Sequence, residues 1–231
     1  MRRSPSAVRD LLLVGLTFSS GAVDAISFLA LGKVFTAFMT GNFVFLGFRV
    51  AGAGGPNASR VAAAIGAFAL GVYLATRIVR PTKGSGIWPR RVSVALGLAV
   101  CALIAFAAVW VAVDGRPSVG GSALLVALFA LAMGLQSGAI QSLEVRGVFT
   151  TAATATLIFL SSDMVHRSRS ATERWRLAGV LIALLAGATA GGLLLVHARS
   201  YAPLLPLVTT VVVIAAATIN LPARSPANAQ R

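Results

Sequence analysis

Groups that titrate or react are scarce in this sequence: 231 residues include 1 Cys, 2 His and 6 Asp or Glu, against 20 Lys or Arg. A single cysteine excludes an internal disulfide, and Cys101, set in an apolar run, reads as a buried structural thiol. His166 and His197 fall at the ends of apolar runs, outside any metal-ligand spacing. No G-x-S-x-G elbow, H-E-x-x-H pair, P-loop or Cys/His cluster occurs. Nothing here therefore points to an enzyme, a cofactor or a metal.

Charge of either sign is also rare, at 11% of residues, whereas 57% are hydrophobic and mean hydropathy is +0.86. Such a chain is neither a soluble domain nor a disordered one; it is a polytopic membrane protein with the lipid bilayer as its first partner. A formal charge of +14 would suggest nucleic acid in a soluble protein. Here the basic residues sit in short connectors between apolar runs, so no nucleic-acid partner is expected.

Eight apolar segments follow in order at 11–31, 34–50, 61–79, 92–113, 123–143, 148–160, 177–196 and 204–221. They lack strand-type alternation and are rich in Ala and Leu, so the fold class is all-α. Six approach the roughly 20 residues that a helix needs to cross about 30 Å of hydrocarbon. Those at 34–50 and 148–160 are shorter and carry Thr, Ser or Asn. The first segment follows Arg2, Arg3 and Arg9 and could pass for a secretory signal, but similar segments recur throughout, so it is read as a retained helix.

Basic residues arbitrate the topology. If all eight segments crossed, 12 of the 20 Lys and Arg would lie inside and 8 outside. If the two short segments dip in and return, only Lys33, Arg49, Arg60, Arg116 and Arg199 lie outside, and the other 15 fall inside. The second arrangement fits better: six full spans, two short polar-containing helices and both termini cytoplasmic.

The short segments belong to an internal repeat. Ser20-Gly21-Ala22-Val23-Asp24 resembles Ser137-Gly138-Ala139-Ile140-Gln141, and Gly32-Lys33-Val34-Phe35-Thr36 resembles Arg146-Gly147-Val148-Phe149-Thr150. Residues 1–114 then form a first half, 115–222 a second, and 223–231 a disordered tail. With three crossings each, the halves would be inverted, an arrangement that commonly builds a site near the membrane midplane.

Candidate site residues are the polar groups set in the apolar runs. Asp24 lies a few ångströms, at about 1.5 Å per residue, from the middle of the first segment. A charge there costs on the order of 3 kcal/mol, so it needs a partner: Ser20, Ser27, another helix, a substrate or a proton. Thr40, Gly41 and Asn42, with Thr154 and Thr156 opposite them in the repeat, are the natural lining, Gly41 letting a backbone approach closely. Gln141 answers to Asp24, and Gln136 lies five residues before it. The alternative use of all these groups is helix–helix bonding. Elsewhere, small residues along 62–71 and the Gly187 to Gly191 step read as close-packing surfaces, and Trp88, Trp110 and Trp175 as an interfacial belt. Asp163, Glu144 and Glu173 read as solvated boundary acids, and Arg174 and Arg176 as topology signals near lipid headgroups.

The stretches GAVDAISFLALGKVFTAFMTGNFVFLG and LAMGLQSGAIQSLEVRGVFTTAATATLIFL resemble the YoaK-like family of bacterial inner-membrane proteins, which groups under a domain of unknown function. Gly21, Asp24, Phe35 and Thr40-Gly41-Asn42 carry the likeness in the first half, Gly134, Gln136 and the threonine-rich run in the second. Thr154-Ala155 stands where the family would have Thr-Gly. The resemblance implies about six spans in the bacterial inner membrane and no settled activity.

The expectation that follows is a small transporter or channel-like permease for a polar small molecule or ion, with Asp24 coupling protonation to movement. A non-transporting membrane scaffold or accessory protein is the rival, and the reading admits a homo-oligomer.

Overall fold

The computed structural model describes residues 4–80, 87–143, 145, 153–166 and 170–221. The second copy of the repeat motif at 146–150, Lys83, Glu144, Arg167, Arg169 and the tail at 223–231 lie outside them. Among the described residues there are eight α-helices and no strand: α1 Pro5–Ala30, α2 Met39–Val50, α3 Ala58–Val79, α4 Arg90–Ala112, α5 Val119–Gln141, α6 Ala153–His166, α7 Ala171–His197 and α8 Leu204–Asn220. A 3-10 turn, Arg199–Tyr201, leads into α8.

Local chemistry sets where the helices begin. Ser4 accepts a hydrogen bond from the Ala7 amide with Pro5 in the first turn, Asn57 caps α3, Ser118 caps α5, and Ser170 with Glu173 forms a capping box on α7. Each such cap is worth about 1 kcal/mol. α1 stops where Gly32 and Lys33 turn to positive φ, at 96° and 64°.

Six elements are long and apolar enough to span: α1, α3, α4, α5, α7, and α8 with its leading turn. At 12 and 14 residues, α2 and α6 reach only about 18 and 21 Å, well short of the hydrocarbon thickness. The chain is therefore an all-helical polytopic membrane protein with six spans and two short helices.

Contacts between helix ends agree with six crossings. Arg176 binds Asp10 at 3.2 Å, joining the starts of α7 and α1. Arg199 donates to the Gly115 carbonyl at 2.8 Å and lies over the Trp110 ring, while Trp110 Nε1 donates to the Arg199 carbonyl at 3.0 Å, joining the ends of α7 and α4. Gly32, after α1, lies against the Arg60 guanidinium at the start of α3. Eight crossings would put both of these last pairs on opposite membrane faces.

Packing follows a repeating scheme: α1 lies on α7 and α8, α5 on α3 and α4, α2 on α3, α6 on α7, and α4 meets α8. Exchanging α1–α4 with α5–α8 returns these pairs; α3 also meets α4, and its counterpart is the contact of α7 with the 3-10 turn that leads into α8. The closest crossings use glycine. A Cβ on Gly187 would run into the Phe18 backbone, and one on Gly134 into the Phe68 backbone. In lipid, where burial of apolar surface gives helices little reason to associate, such close approach supplies the contact. Phe106 and Phe129 stack between α4 and α5.

Several expectations are corrected. Cys101 is exposed on α4, because a lipid-facing position is as apolar as a core position and hydropathy does not separate them. Trp110 is fully buried and Trp88 nearly so, its Nε1 donating to Ser93 Oγ at 3.0 Å; only Trp175 is exposed as a belt residue would be. Both buried indoles found acceptors within the fold, which removes their reason to sit at the interface. Asp163 is buried and paired with Arg174 at 3.5 Å, so it is not a solvated boundary acid, whereas the Arg174 side chain stays 41% exposed; Arg176 is largely covered and engaged by Asp10.

Gly134→Ala and Gly187→Ala are each expected to destabilise the protein by about 1–3 kcal/mol through overpacking. Gly66→Ala, with nothing within 4 Å of the added methyl, is expected to be neutral. Thermal unfolding in detergent reads the difference, and equal melting temperatures for the three would contradict the glycine-mediated packing.

Candidate functional site: a cleft beside Asp24

Residues 31–38 leave the end of α1 and fold back along it before α2 begins. Val34, Thr36 and Ala37 are buried there, so protein groups must meet their amides and carbonyls. Three side chains do so. Ser27 Oγ donates to the Val34 carbonyl at 2.7 Å, and Asp24 Oδ1 accepts from the Thr36 and Ala37 amides at 2.8 and 2.7 Å. Asn42, in the first turn of α2, donates from Nδ2 to the Phe35 carbonyl at 2.7 Å and accepts from the Phe35 amide at 3.1 Å. Phe35 is thereby held from both sides, stacked on Phe28 at 4.8 Å and edge-on to Phe38 at 5.3 Å.

Asp24 lies six residues before the last residue of α1, about 10 Å from its midpoint at 1.5 Å per residue, not a few ångströms as the apolar run suggested. The helix begins earlier than that run, at Pro5, because Ser4 caps it. Neither suggested serine holds the carboxylate: Ser27 is spent on Val34, and Ser20 Oγ, one turn before Asp24, is buried without a hydrogen bond.

The structure does not gather the other expected residues around one point. Thr40 and Thr154 are exposed, Gln141 is exposed at the last position of α5, and Gly41 is half-buried under Phe35 and Phe38. Thr156 is buried in α6, and Asn42 is buried and committed to Phe35. Gln136 is buried on α5, its Nε2 donating to the Leu16 carbonyl at 3.2 Å and its Oε1 without a partner.

A cleft of about 360 Å³ opens instead between α1, α7 and the returning loop. Ser20, Gly21, Asp24, Ala25, Phe28 and Leu29 line it from α1, Leu184 and Ala188 from α7, Phe35 and Phe38 from the loop, and Ala153 from the first turn of α6. Of the residues expected from sequence, Asp24 alone lines it. Ser20 was legible as a site member from its i, i+4 spacing to Asp24, which puts both on one helix face. The phenylalanines gave no such signal. Among the described residues no three His, Cys, Asp or Glu side chains converge as a metal site would require. The chemistry on offer is one carboxylate, one unpartnered hydroxyl and aromatic walls, which suits binding.

Comparison with known proteins agrees with this membrane architecture. A family model described as "Protein of unknown function (DUF1275)" matches residues 12–217. The "UPF0700 transmembrane protein YoaK" of Bacillus subtilis (strain 168) is 34% identical over 167 residues, covering 70% of each chain. No solved structure matches. With the family model spanning nearly all of its helical body and a relative of this similarity, the chain belongs to the DUF1275, or YoaK-like, family of membrane proteins.

Proposed function

We propose that this protein is a permease that moves a small polar or charged molecule across the bacterial inner membrane, with the cleft beside Asp24 as its binding site. The observation that carries this reading is the pairing of a carboxylate with a buried, unpartnered hydroxyl on the wall of a 360 Å³ space between helices.

In this reading residues 1–114 and 115–222 are inverted halves, and the exchange symmetry of the helix pairs is what such halves produce. The short helices α2 and α6 then act as half-helices. The start of α6 borders the cleft, and the loop opening α2 forms part of its wall. The end of the molecule bearing Arg77, Arg80, Arg90, Arg91, Arg174 and Arg176 faces the cytoplasm under the positive-inside rule. Asp24 is the group through which a proton would be coupled to movement.

The scaffold alternative has one observation in its favour: Asn42 and one oxygen of Asp24 are occupied with backbone groups of their own chain. Two variants separate bracing from lining. Asn42→Ala leaves the Phe35 amide and carbonyl unmet and is expected to cost about 2 kcal/mol, seen as a lower melting temperature in detergent. Ala25→Leu narrows the cleft and is expected to leave the melting temperature unchanged while removing flux.

Flux is read by comparing the solutes gained or lost by vesicles carrying the protein, its Ala25→Leu variant, or no protein. One or more solutes should change with the unaltered protein only. Identical solute profiles in all three would sink the permease reading and leave the scaffold.

Sidedness has its own test. In a Cys101→Ser background, cysteines at Arg80 and Arg90 are expected to react only from the cytoplasm, and those at Ala53 and Arg116 only from the opposite side. Labelling of Arg80 and Arg90 from the opposite side would contradict six crossings and restore eight.

A further inference from the structure

We infer that the cleft beside Asp24 takes a small organic ammonium ion with at least one N–H and an apolar body. The inference deepens the permease reading by naming its substrate class, but it rests on the chemistry of the wall and can be tested without flux.

Charge comes first. Among the described residues Asp24 is the one charged side chain in the lining, and Lys33 lies outside that lining with its ammonium against the Phe28 ring. The Thr36 and Ala37 amides, in the loop before α2, donate to Asp24 Oδ1 but carry no formal charge, so they stabilise an ionised carboxylate without cancelling it. An anion would meet repulsion from the ionised form, and a neutral occupant would require the carboxyl to take up a proton first, whereas a cation pairs with the carboxylate directly.

Coordination decides what kind of cation. Calcium takes six to eight oxygens, and magnesium demands a near-ideal octahedron. Among the described residues, Ser20 and Asp24 are the lining residues whose side chains carry oxygen. Two such groups are too few for a bare metal ion but match an N–H-bearing ammonium, which can donate to the carboxylate and to Ser20 Oγ. That hydroxyl is buried and has no hydrogen bond within the protein, so an incoming donor restores a bond that folding forfeited.

The remaining wall is aromatic and aliphatic. Phe28, Phe35 and Phe38 all border the cleft, and the Phe28 ring already holds an ammonium, that of Lys33, whose Nζ lies 5.0 Å from the ring centroid. Attraction of a cation to a ring face within about 6 Å is worth about 0.5–2 kcal/mol, more as water is excluded. The volume is near the lower end of the roughly 300–1,000 Å³ typical of small-molecule pockets, which favours a compact body.

Equilibrium binding to the full chain in lipid nanodiscs tests this with three probes of similar shape: phenethylammonium, neutral 2-phenylethanol and anionic 3-phenylpropionate. Saturable binding of phenethylammonium alone is expected. Ser20→Ala removes a hydroxyl that bonds nothing, so it should keep the melting temperature and weaken phenethylammonium by about fivefold or more. Asp24→Asn should abolish binding. Because that change also loosens the Thr36 and Ala37 amides, Ala25→Leu, which fills the cleft and leaves those amides alone, is the second variant and should abolish binding too.

Anionic or neutral probe binding as tightly as the ammonium, absence of ammonium binding, or ammonium binding unchanged in Ser20→Ala and Ala25→Leu would each overturn the assignment. Ammonium binding in nanodiscs with no ammonium uptake by vesicles keeps the assignment and removes the permease reading. Uptake of another solute class without ammonium binding does the reverse.

Discussion

The first half of the molecule depends on how the returning loop at 31–38 is hydrogen-bonded. A non-helical segment folded back along a span cannot meet its own amides and carbonyls, and each one left unmet in hydrocarbon costs several kcal/mol. Asp24, Ser27 and Asn42 answer that demand with five hydrogen bonds of 2.7–3.1 Å. A carboxylate is a strong acceptor for a pair of amides, and those amides in turn make a charge tolerable at that depth. The two costs offset each other. α2 can then begin beneath the surface, with Phe35 and Phe38 against Phe28, and the cleft is what remains between this arrangement and α7.

Helix association in the core has a different cause. Gly187 and Gly191 let α7 approach the backbone of α1, and Gly71, Gly134 and Gly138 do the same for α3 and α5. The same short repeat, Ser-Gly-Ala, supplies Gly21 to the first crossing and Gly138 to the second. Both central crossings are therefore built alike. Their polar neighbours are not: Asp24 is inside the first, while its repeat counterpart Gln141 is exposed at the end of α5.

Segment lengths and the distribution of basic residues made six spans and two short helices legible, because the cost of crossing oil acts directly on sequence. Polar residues at depth were legible too, though not their tasks. Thr40, Gly41 and Asn42 read as a lining because polarity in an apolar run signals an unmet partner, and for Asn42 that partner is backbone seven residues earlier. Sequence spacing identifies the anomaly; only the path of the loop says which group resolves it. Facing was hidden for a physical reason, since lipid and protein core are both apolar. Cys101 and Trp110 occupy similar runs on α4, yet one is exposed and the other fully buried.

The inequality of the halves bears on how many ligands the molecule can hold. A second site related to the first by the repeat would need an acid at Gln141, a residue that cannot ionise and that lies at the outer end of its helix instead of six residues within it. On the ammonium reading proposed above, the repeat therefore offers no second carboxylate among the described residues. In the permease reading we propose, a single charged site means that alternation between the two membrane faces moves helices around one carboxylate and does not pass cargo between two. The crossing that borders this site is α1 on α7: Gly187 and Gly191 bring the two backbones together, while Leu184 and Ala188 on the same helix form the opposite wall of the cleft.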